Sequence, residues 1–461
     1  MMDKKIIRRL REIVGPENLL HSPEDLQCYS YDGTTMEYMP EAVVLPGSTS
    51  EVSAVMRLAF KAALPVVPRG AGSGMTGGAL PVAGGLVVGL GRMNRILNID
   101  RDNQLAVVEP GVITGVLQAE AARLGLFYPP DPASSRFCTI GGNAAECAGG
   151  PSAVKYGVTR DYIKGLEVVL ADGRIIHTGV RTDKGVVGYD LTRLFVGSEG
   201  TLGIICRLIV RLLPRPAAKT TILVELDNIQ RAAALVAEIL CRFTPCTLEF
   251  MDRTAIGIVA DQLPFTLSAK TRALLLLELD GQPAAVAAEG AALEDFLRRS
   301  SGVLNLRRGE GQEEVDKLWR ARKGVSPAAF KLRPDKMSED IVVPRTRIPE
   351  IVAFTETLGQ ELELLIFTFG HAGDGNIHVN IMLDKSRPGE EQRGHEARRR
   401  LFIRVVELGG TLSGEHGIGC RKSEFLTLEV DEATMDAMRL IKGALDPAGI
   451  LNPGKIFPQN G

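Results

Sequence analysis

No stretch of this 461-residue chain holds the roughly 18 uninterrupted apolar residues that a bilayer-crossing helix needs. The formal net charge is only −2, which leaves no electrostatic footprint for nucleic acid. None of the seven cysteines forms a CxxC pair, and the nearest two are Cys241 and Cys246. That spacing excludes an obvious iron–sulfur or zinc–cysteine site, favours a reducing compartment and predicts buried, inert thiols. Internal repeats and low-complexity segments are missing too. The first residues, MMDKKIIRRLREIVG, lack the apolar core of a secretory signal, and Asp3 and Glu12 argue against an organelle-targeting peptide. A short surface helix is expected there. The resulting expectation is a cytoplasmic protein, any attachment to the inner face of a membrane being made through a partner.

What the chain does have is 45% hydrophobic and 24% charged residues, the balance of a globular protein with room for two or three packed domains. Residues 42–68 read strand, helix, strand, with Ser50 as N-cap and Val52, Val55, Met56 and Ala59 on one helical face. Strand-like and glycine-rich pieces continue to Pro214-Arg-Pro216, the first strong linker candidate. Beyond it come the strand TTILVEL, a helix carrying Ala232, Leu235, Val236, Ile239, Leu240 and Phe243, and the strands TLEFM and ALLLLEL. This alternation suggests an α+β domain with an antiparallel sheet.

The segment VVPRGAGSGMTGGALP, 66–81, contains a literal GxGxxG after an apolar run. A dinucleotide fingerprint of that kind must open a helix, whose N-terminus holds the pyrophosphate. Gly78-Ala-Leu-Pro81 and Gly84-Gly85 cannot start one, and no Gly-Lys-Ser/Thr is present. The residues alone leave two readings: a nest of backbone N–H groups for an anion, with Arg69 at its entrance, or a flexible turn. Two further small-residue loops, 128–157 and 197–205, share this character. Three such loops suit an extended cofactor with a pyrophosphate and a planar ring.

Four of the six histidines lie between 371 and 416. LLIFTFGHAGDGNIHVNIML reads as a β-hairpin with His371 ending one strand and His378 near the start of the next. Period two puts Asn380 on the face of His378, with Ile377, Val379 and Ile381 opposite. SGEHGIG sets Glu415 beside His416. Two histidines and a carboxylate make a divalent-metal set, although paired histidines also serve as core hydrogen-bonders. Asp374 reads as a turn residue and His395 as solvated surface. Arg322 and Ser326 stand one helical turn apart, with Lys336 further on; such residues are often only a solvated face.

Taken together, PRGAGSGMTGG, YPPDPASS…IGGNAAECAGG, GSEGTLG, GHAGDGNIHVN, SGEHGIG and NPGKI resemble the FAD-linked D-2-hydroxy-acid dehydrogenases. That group spans D-lactate and D-2-hydroxyglutarate dehydrogenases and the flavin subunit of glycolate oxidase. The motifs run in order along nearly the whole chain. The resemblance implies an α+β fold of the vanillyl-alcohol-oxidase superfamily. A PCMH-type FAD-binding domain of two α+β subdomains would cover 1–215. A cap domain, an antiparallel sheet covered by helices, would cover 216–416 and carry the substrate and metal site. A C-terminal segment, 417–461, would return to the flavin domain.

The same resemblance implies that Arg69, Gly70, Ala71, Gly72, Ser73, Gly74, Gly77 and Gly78 cradle the FAD pyrophosphate. Pro130, Asp131, Pro132, Ser135, Gly141, Gly142, Asn143, Gly149, Gly150, Tyr156 and Gly157 would line the adenosine and flavin portions. Glu199, Gly200, Gly203, Ile204, Ile205 and Asn452 would join them. Many members of the superfamily attach FAD covalently through a His in the first loop; Ser73 occupies that region here, so the FAD is expected to be non-covalent.

His371, His378 and Glu415 are the metal ligands the resemblance implies, for zinc, with iron or manganese as other candidates. His416 would be the catalytic base and would contact substrate with Arg322, Ser326, Lys336 and Asn380. The family often has Thr where Ser326 stands, so substrate choice is left open. The implied reaction is oxidation of a small D-2-hydroxy acid to the 2-oxo acid, with hydride passing to flavin N5. Electrons would leave to an external acceptor: an iron–sulfur subunit, an electron-transferring flavoprotein, a quinone or a cytochrome. A dimer or complex subunit is expected, without nucleic acid. The alternatives are a non-redox flavin enzyme resembling alkylglycerone-phosphate synthase, or a flavin-binding subunit of a larger electron-transfer complex.

Overall fold

A computed structural model describes residues 2–458. Two compact units are present, one formed by 1–149, 158–215 and 415–461, the other by 150–157 and 216–414. Among the described residues no helix is long and apolar enough to cross a membrane.

The first unit holds a four-stranded and a five-stranded sheet. In the smaller sheet Ala42–Val44, Leu86–Gly89 and Val66–Arg69 run parallel, because the helix Thr49–Lys61 carries the chain back between the first and last of them. That helix is capped by Ser48, whose hydroxyl accepts from Glu51 N, and not by Ser50 as expected. Ser50 instead sits 2.9 Å from the capping hydroxyl. Val52, Val55, Met56 and Ala59 are buried against Val44, Val66 and Val88 of one sheet and Val169, Ile204 and Cys206 of the other. The final segment completes this unit: Val66 N donates to Ile450 O and Asn452 N to Val66 O, both at 2.8 Å.

The second unit is built on a seven-stranded, fully antiparallel sheet. Its spatial order is Val303–Arg308, Ala218–Leu226, Ala273–Gly281, Thr247–Asp252, Leu365–His371, Asn376–Leu383, Asp335–Val342. The expected hairpin is there, with Phe369 paired to His378 and Phe367 to Asn380. One face of the sheet packs Met251, Phe367, Phe369 and Met382 against Leu318, Ala321 and Val325 of the helix Gly311–Ala328. Burying the Met, Phe, Leu and Val side chains among these contributes about 1.5–3 kcal/mol each.

Two expectations need correction. Cys28 and Cys241 are exposed, and only Cys138, Cys206 and Cys246 are buried. Both exposed thiols sit at the ends of helices, where the chain turns outward. In addition, Ile140–Glu146 is a short helix, capped by Thr139, within a stretch read as a loop. Its glycines obscured it from sequence, since Gly is the weakest helix former after Pro. Gly141 is needed there for closeness: a Cβ would stand 2.5 Å from Pro110.

Candidate functional site

The strand Val66–Arg69 delivers the chain into the glycine-rich loop of the first unit. Gly72 and Gly77 take φ of +67° and +83°, values that side chains disfavour. None of the backbone N–H groups from Ala71 to Ala79 donates to a partner among the described residues. Thr76, Gly77 and Gly78 are nevertheless buried. Buried amides without acceptors are rare in folded proteins, so this run fits an anionic group that brings its own oxygens. A phosphate-bearing cofactor such as FAD suits it.

The Arg69 side chain is anchored within the unit. Its guanidinium is turned into the protein, donating to Tyr31 O at 2.7 Å and lying 5.6 Å from the Tyr29 ring. Burial pulls its pKa below the usual arginine value, and the side chain acts as an internal brace. A Cβ on Gly72 would collide with that guanidinium, which accounts for the glycine.

Glu199 and Asn452 join the loops of this unit. Glu199, at φ +51°, accepts from the amides of Ile418 and Gly419, each at 2.7 Å. Asn452 Nδ2 donates to Gly78 O at 2.8 Å and to Glu199 O at 2.7 Å. Beside them, burial and the neighbouring Glu199 push the Glu146 carboxyl well above its ordinary range. Sequence reasoning missed Glu146, whose only signal was a lone acid among Ala and Gly.

Other expected cofactor residues are held by local bonds. Asn143 donates to Thr114 Oγ1 at 2.7 Å, Ser135 N to Pro132 O at 2.8 Å, and Gln118 to Pro130 O at 2.9 Å. Gly150, Tyr156 and Gly157 belong to the second unit, where Tyr156 OH donates to Asp280 at 2.8 Å.

On the second unit's sheet, strand register brings a polar row together. His378 lies opposite Phe369 on one side and Asp340 on the other. The Nε2 atoms of His371 and His378 are 3.4 Å apart, their rings nearly perpendicular at 86°. Two imidazole nitrogens bound to one tetrahedral zinc at about 2.0–2.1 Å stand about 3.4 Å apart, so the pair fits a divalent cation. His371 Nδ1 donates to Glu249 Oε1 at 2.7 Å, and Glu249 is fully buried. Burial works against ionising Glu249, yet Arg322 and His371 outweigh it and hold the carboxyl below its ordinary value. With a carboxylate on Nδ1, the lone pair of His371 resides on Nε2.

Asp340 was also missed by sequence reasoning. It accepts from Asn376 Nδ2 at 2.5 Å, from Ser413 Oγ at 3.1 Å and from Gly414 N at 2.9 Å. Its signal was an acid next to Glu339 at the head of the apolar run Ile341-Val342-Val343.

Arg322 is buried, ion-paired with Glu249 and 4.7 Å from the Phe369 ring. Its Nε is enclosed and has no hydrogen-bond partner among the described residues. Lys336 Nζ donates to Ser326 Oγ and O, and burial pushes its pKa down to about 8. Asn380, fully buried, accepts from Ser338 Oγ at 3.2 Å. Glu415 and His416 belong to the first unit, where the His416 carbonyl accepts from Thr76 Oγ1 at 3.0 Å. Glu415 is the next residue after Gly414 in the chain. Asp374 accepts from Asn376 N in the hairpin turn, and His395 is exposed.

Residues 40–179 match a family described as an FAD binding domain, and residues 215–456 match the FAD linked oxidases, C-terminal domain. The chain is 42% identical to the glycolate oxidase subunit GlcD of Bacillus subtilis, covering 100% of this chain and 98% of that protein. It is 33% identical to a D-lactate dehydrogenase of Anaerostipes hadrus, covering 98% and 97%. Among solved structures, p-cresol methylhydroxylase with bound substrate superposes with a TM-score of 0.83 at 19% identity, covering 98% of this chain and 96% of that one. That last likeness speaks to the fold alone, an α+β PCMH-type architecture.

Proposed function

The chain belongs to the FAD-linked oxidases, and on that premise we propose that it oxidises a small 2-hydroxy acid, of glycolate or D-lactate type, to the 2-oxo acid. The substrate class is supported by what its relatives are named for, a glycolate oxidase subunit and a D-lactate dehydrogenase. The observation that carries the reading is the convergence of His371 and His378 at 3.4 Å on the same sheet face as Asn380 and Lys336. Bound FAD supplies the two-electron acceptor, and a bound divalent cation acidifies the substrate hydroxyl.

The chain's own residues do the rest. His371 and His378 hold the cation through Nε2, with Glu415 as third ligand; its support is that it directly follows Gly414, which is bonded to the register partner of His378. The enclosed Arg322 Nε and the half-buried Lys336 ammonium receive the substrate carboxylate, with Ser326 holding the lysine in place. Asn380 fixes the substrate oxygen edge. His416 takes the hydroxyl proton, its backbone held by Thr76. The free amides from Ala71 to Ala79 hold the FAD pyrophosphate. Because this chain has no clustered cysteines of its own, electrons would pass to an external acceptor, whether an iron–sulfur subunit, an electron-transferring flavoprotein, a quinone or a cytochrome.

The test is anaerobic mixing of the FAD-loaded protein with glycolate, D- and L-lactate, malate and 2-hydroxyglutarate while the visible flavin absorbance is followed. Bleaching by at least one acid, abolished in His416→Ala, is expected. Colour retained with every acid refutes the reading; bleaching at an undiminished rate in His416→Ala removes that residue from its role.

A further inference from the structure

The strand Thr247–Asp252 is buried along its whole length, and Glu249 within it has no exposed surface. Its register against the neighbouring strand pairs Phe250 with Gly370, so one further step sets Glu249 opposite His371. The two carboxylate oxygens have different duties. Oε1 accepts from His371 Nδ1 at 2.7 Å, and Oε2 forms an ion pair with Nη2 of Arg322.

The contacts then close a ring. The Arg322 guanidinium lies 4.7 Å from the Phe369 ring, that ring lies 5.2 Å from His378, and His378 meets His371 through the two Nε2 atoms. No member can rotate without disturbing the next.

Stability alone does not account for this carboxylate. A buried ion pair is generally replaceable by apolar side chains of similar volume without loss of stability. An apolar side chain cannot decide which nitrogen of an imidazole carries the proton, nor hold a guanidinium in one plane. Partners of this kind orient metal-binding histidines and raise their basicity.

We propose that Glu249 is a positioning residue serving two ligands at once: it presents His371 Nε2 to the cation and fixes the plane in which Arg322 meets the substrate carboxylate. The proposal rests on the reading of His371, His378 and Arg322 given above. A single buried acid then links cation affinity to anion affinity.

The experiment is a Zn2+ competition titration against a chromophoric chelator, on the full-length FAD-loaded protein, for the wild type, Glu249→Gln and His378→Ala. Glutamine keeps the shape but has one acceptor for two donors. The Zn2+ dissociation constant is expected to rise about tenfold or more in Glu249→Gln, the range found for such partners of metal ligands. The visible spectrum of the Co2+-loaded variant is expected to shift, a change that a purely structural loss would not give.

A Zn2+ constant within twofold of wild type, in a variant with native circular dichroism, overturns the proposal. If Glu249→Gln does not fold, Glu249→Gln/Arg322→Met compared with Arg322→Met alone gives the same comparison without a stranded guanidinium. The two readings fail differently. Zn2+ binding untouched by His378→Ala refutes the metal site itself; Zn2+ lost in His378→Ala and kept in Glu249→Gln refutes only the role of Glu249.

Discussion

Lys336 and Ser326 meet through two hydrogen bonds, Nζ donating to Ser326 Oγ at 2.8 Å and to Ser326 O at 3.1 Å. Neither acceptor is a charge, and burial alone pushes the lysine down to about 8. Its ammonium is therefore intact below that pH and lost above it. An incoming carboxylate would supply the missing counter-charge. The expected kcat/KM for the hydroxy acid is level up to about pH 8 on this group's account and falls above it. In Lys336→Met the plateau drops about tenfold or more, the size of one charge-assisted contact, and the alkaline limb disappears. An alkaline limb that persists in the variant removes Lys336 from the site.

Gly74 separates cofactor binding from folding. A Cβ there meets nothing within 4 Å, and the residue is not in the left-handed region. Gly74→Ala should leave the flavin-free protein's stability within about 0.5 kcal/mol of wild type. If the amide run holds the pyrophosphate, FAD affinity measured by fluorescence quenching falls at least about tenfold, since one methyl group would block close approach. Gly77→Ala is expected to harm the fold itself, with φ at +83° and a Cβ 2.5 Å from Cys420 Sγ.

His378→Ala should empty the proposed cation site. Elemental analysis of the dialysed variant is expected to give less than about a tenth of the wild-type metal, the loss of one imidazole ligand being worth several kcal/mol. Full occupancy in the variant contradicts the ligand assignment.

The thiols give an independent check on the fold. Cys28 and Cys241 should react quickly with an aromatic disulfide reagent in the native protein. Cys147 and Cys420, half-buried and with thiol pKa values raised by burial, should react slowly, and Cys138, Cys206 and Cys246 only after unfolding. Seven fast thiols would contradict the packing described.

What the sequence made legible follows from period and punctuation. The His371/His378 hairpin is readable because an apolar run is followed by the turn Ala-Gly-Asp-Gly-Asn and by alternation from Asn376 to Ile381. Rejection of the dinucleotide fingerprint is readable because Pro81 and paired glycines forbid the helix it needs. Ser48 in place of Ser50 is a two-residue boundary shift that hydroxyls on both positions cannot resolve. The inward turn of Arg69 was hidden because its acceptor, Tyr31 O, lies far off in sequence. Glu249 and Asp340 were hidden for another reason: each has partners on other strands, and only the pairing of those strands reveals them. Acids at strand positions that pairing buries are the signal to follow, since a carboxylate is seldom enclosed unless something answers it.

The interrupted composition of the first unit bears on how the chain matures. Its core strand Val66–Arg69 shares two main-chain bonds with Ile450 and Asn452, and Asn452 also clasps Gly78 and Glu199. A nascent chain emerging from the ribosome can assemble the whole seven-stranded sheet before those last residues exist, because 216–414 is contiguous. The first unit must wait for Ile450 and Asn452. A chain stopped short of Ile450 would lack both main-chain bonds to Val66 and the clasp that Asn452 places on Gly78 and Glu199.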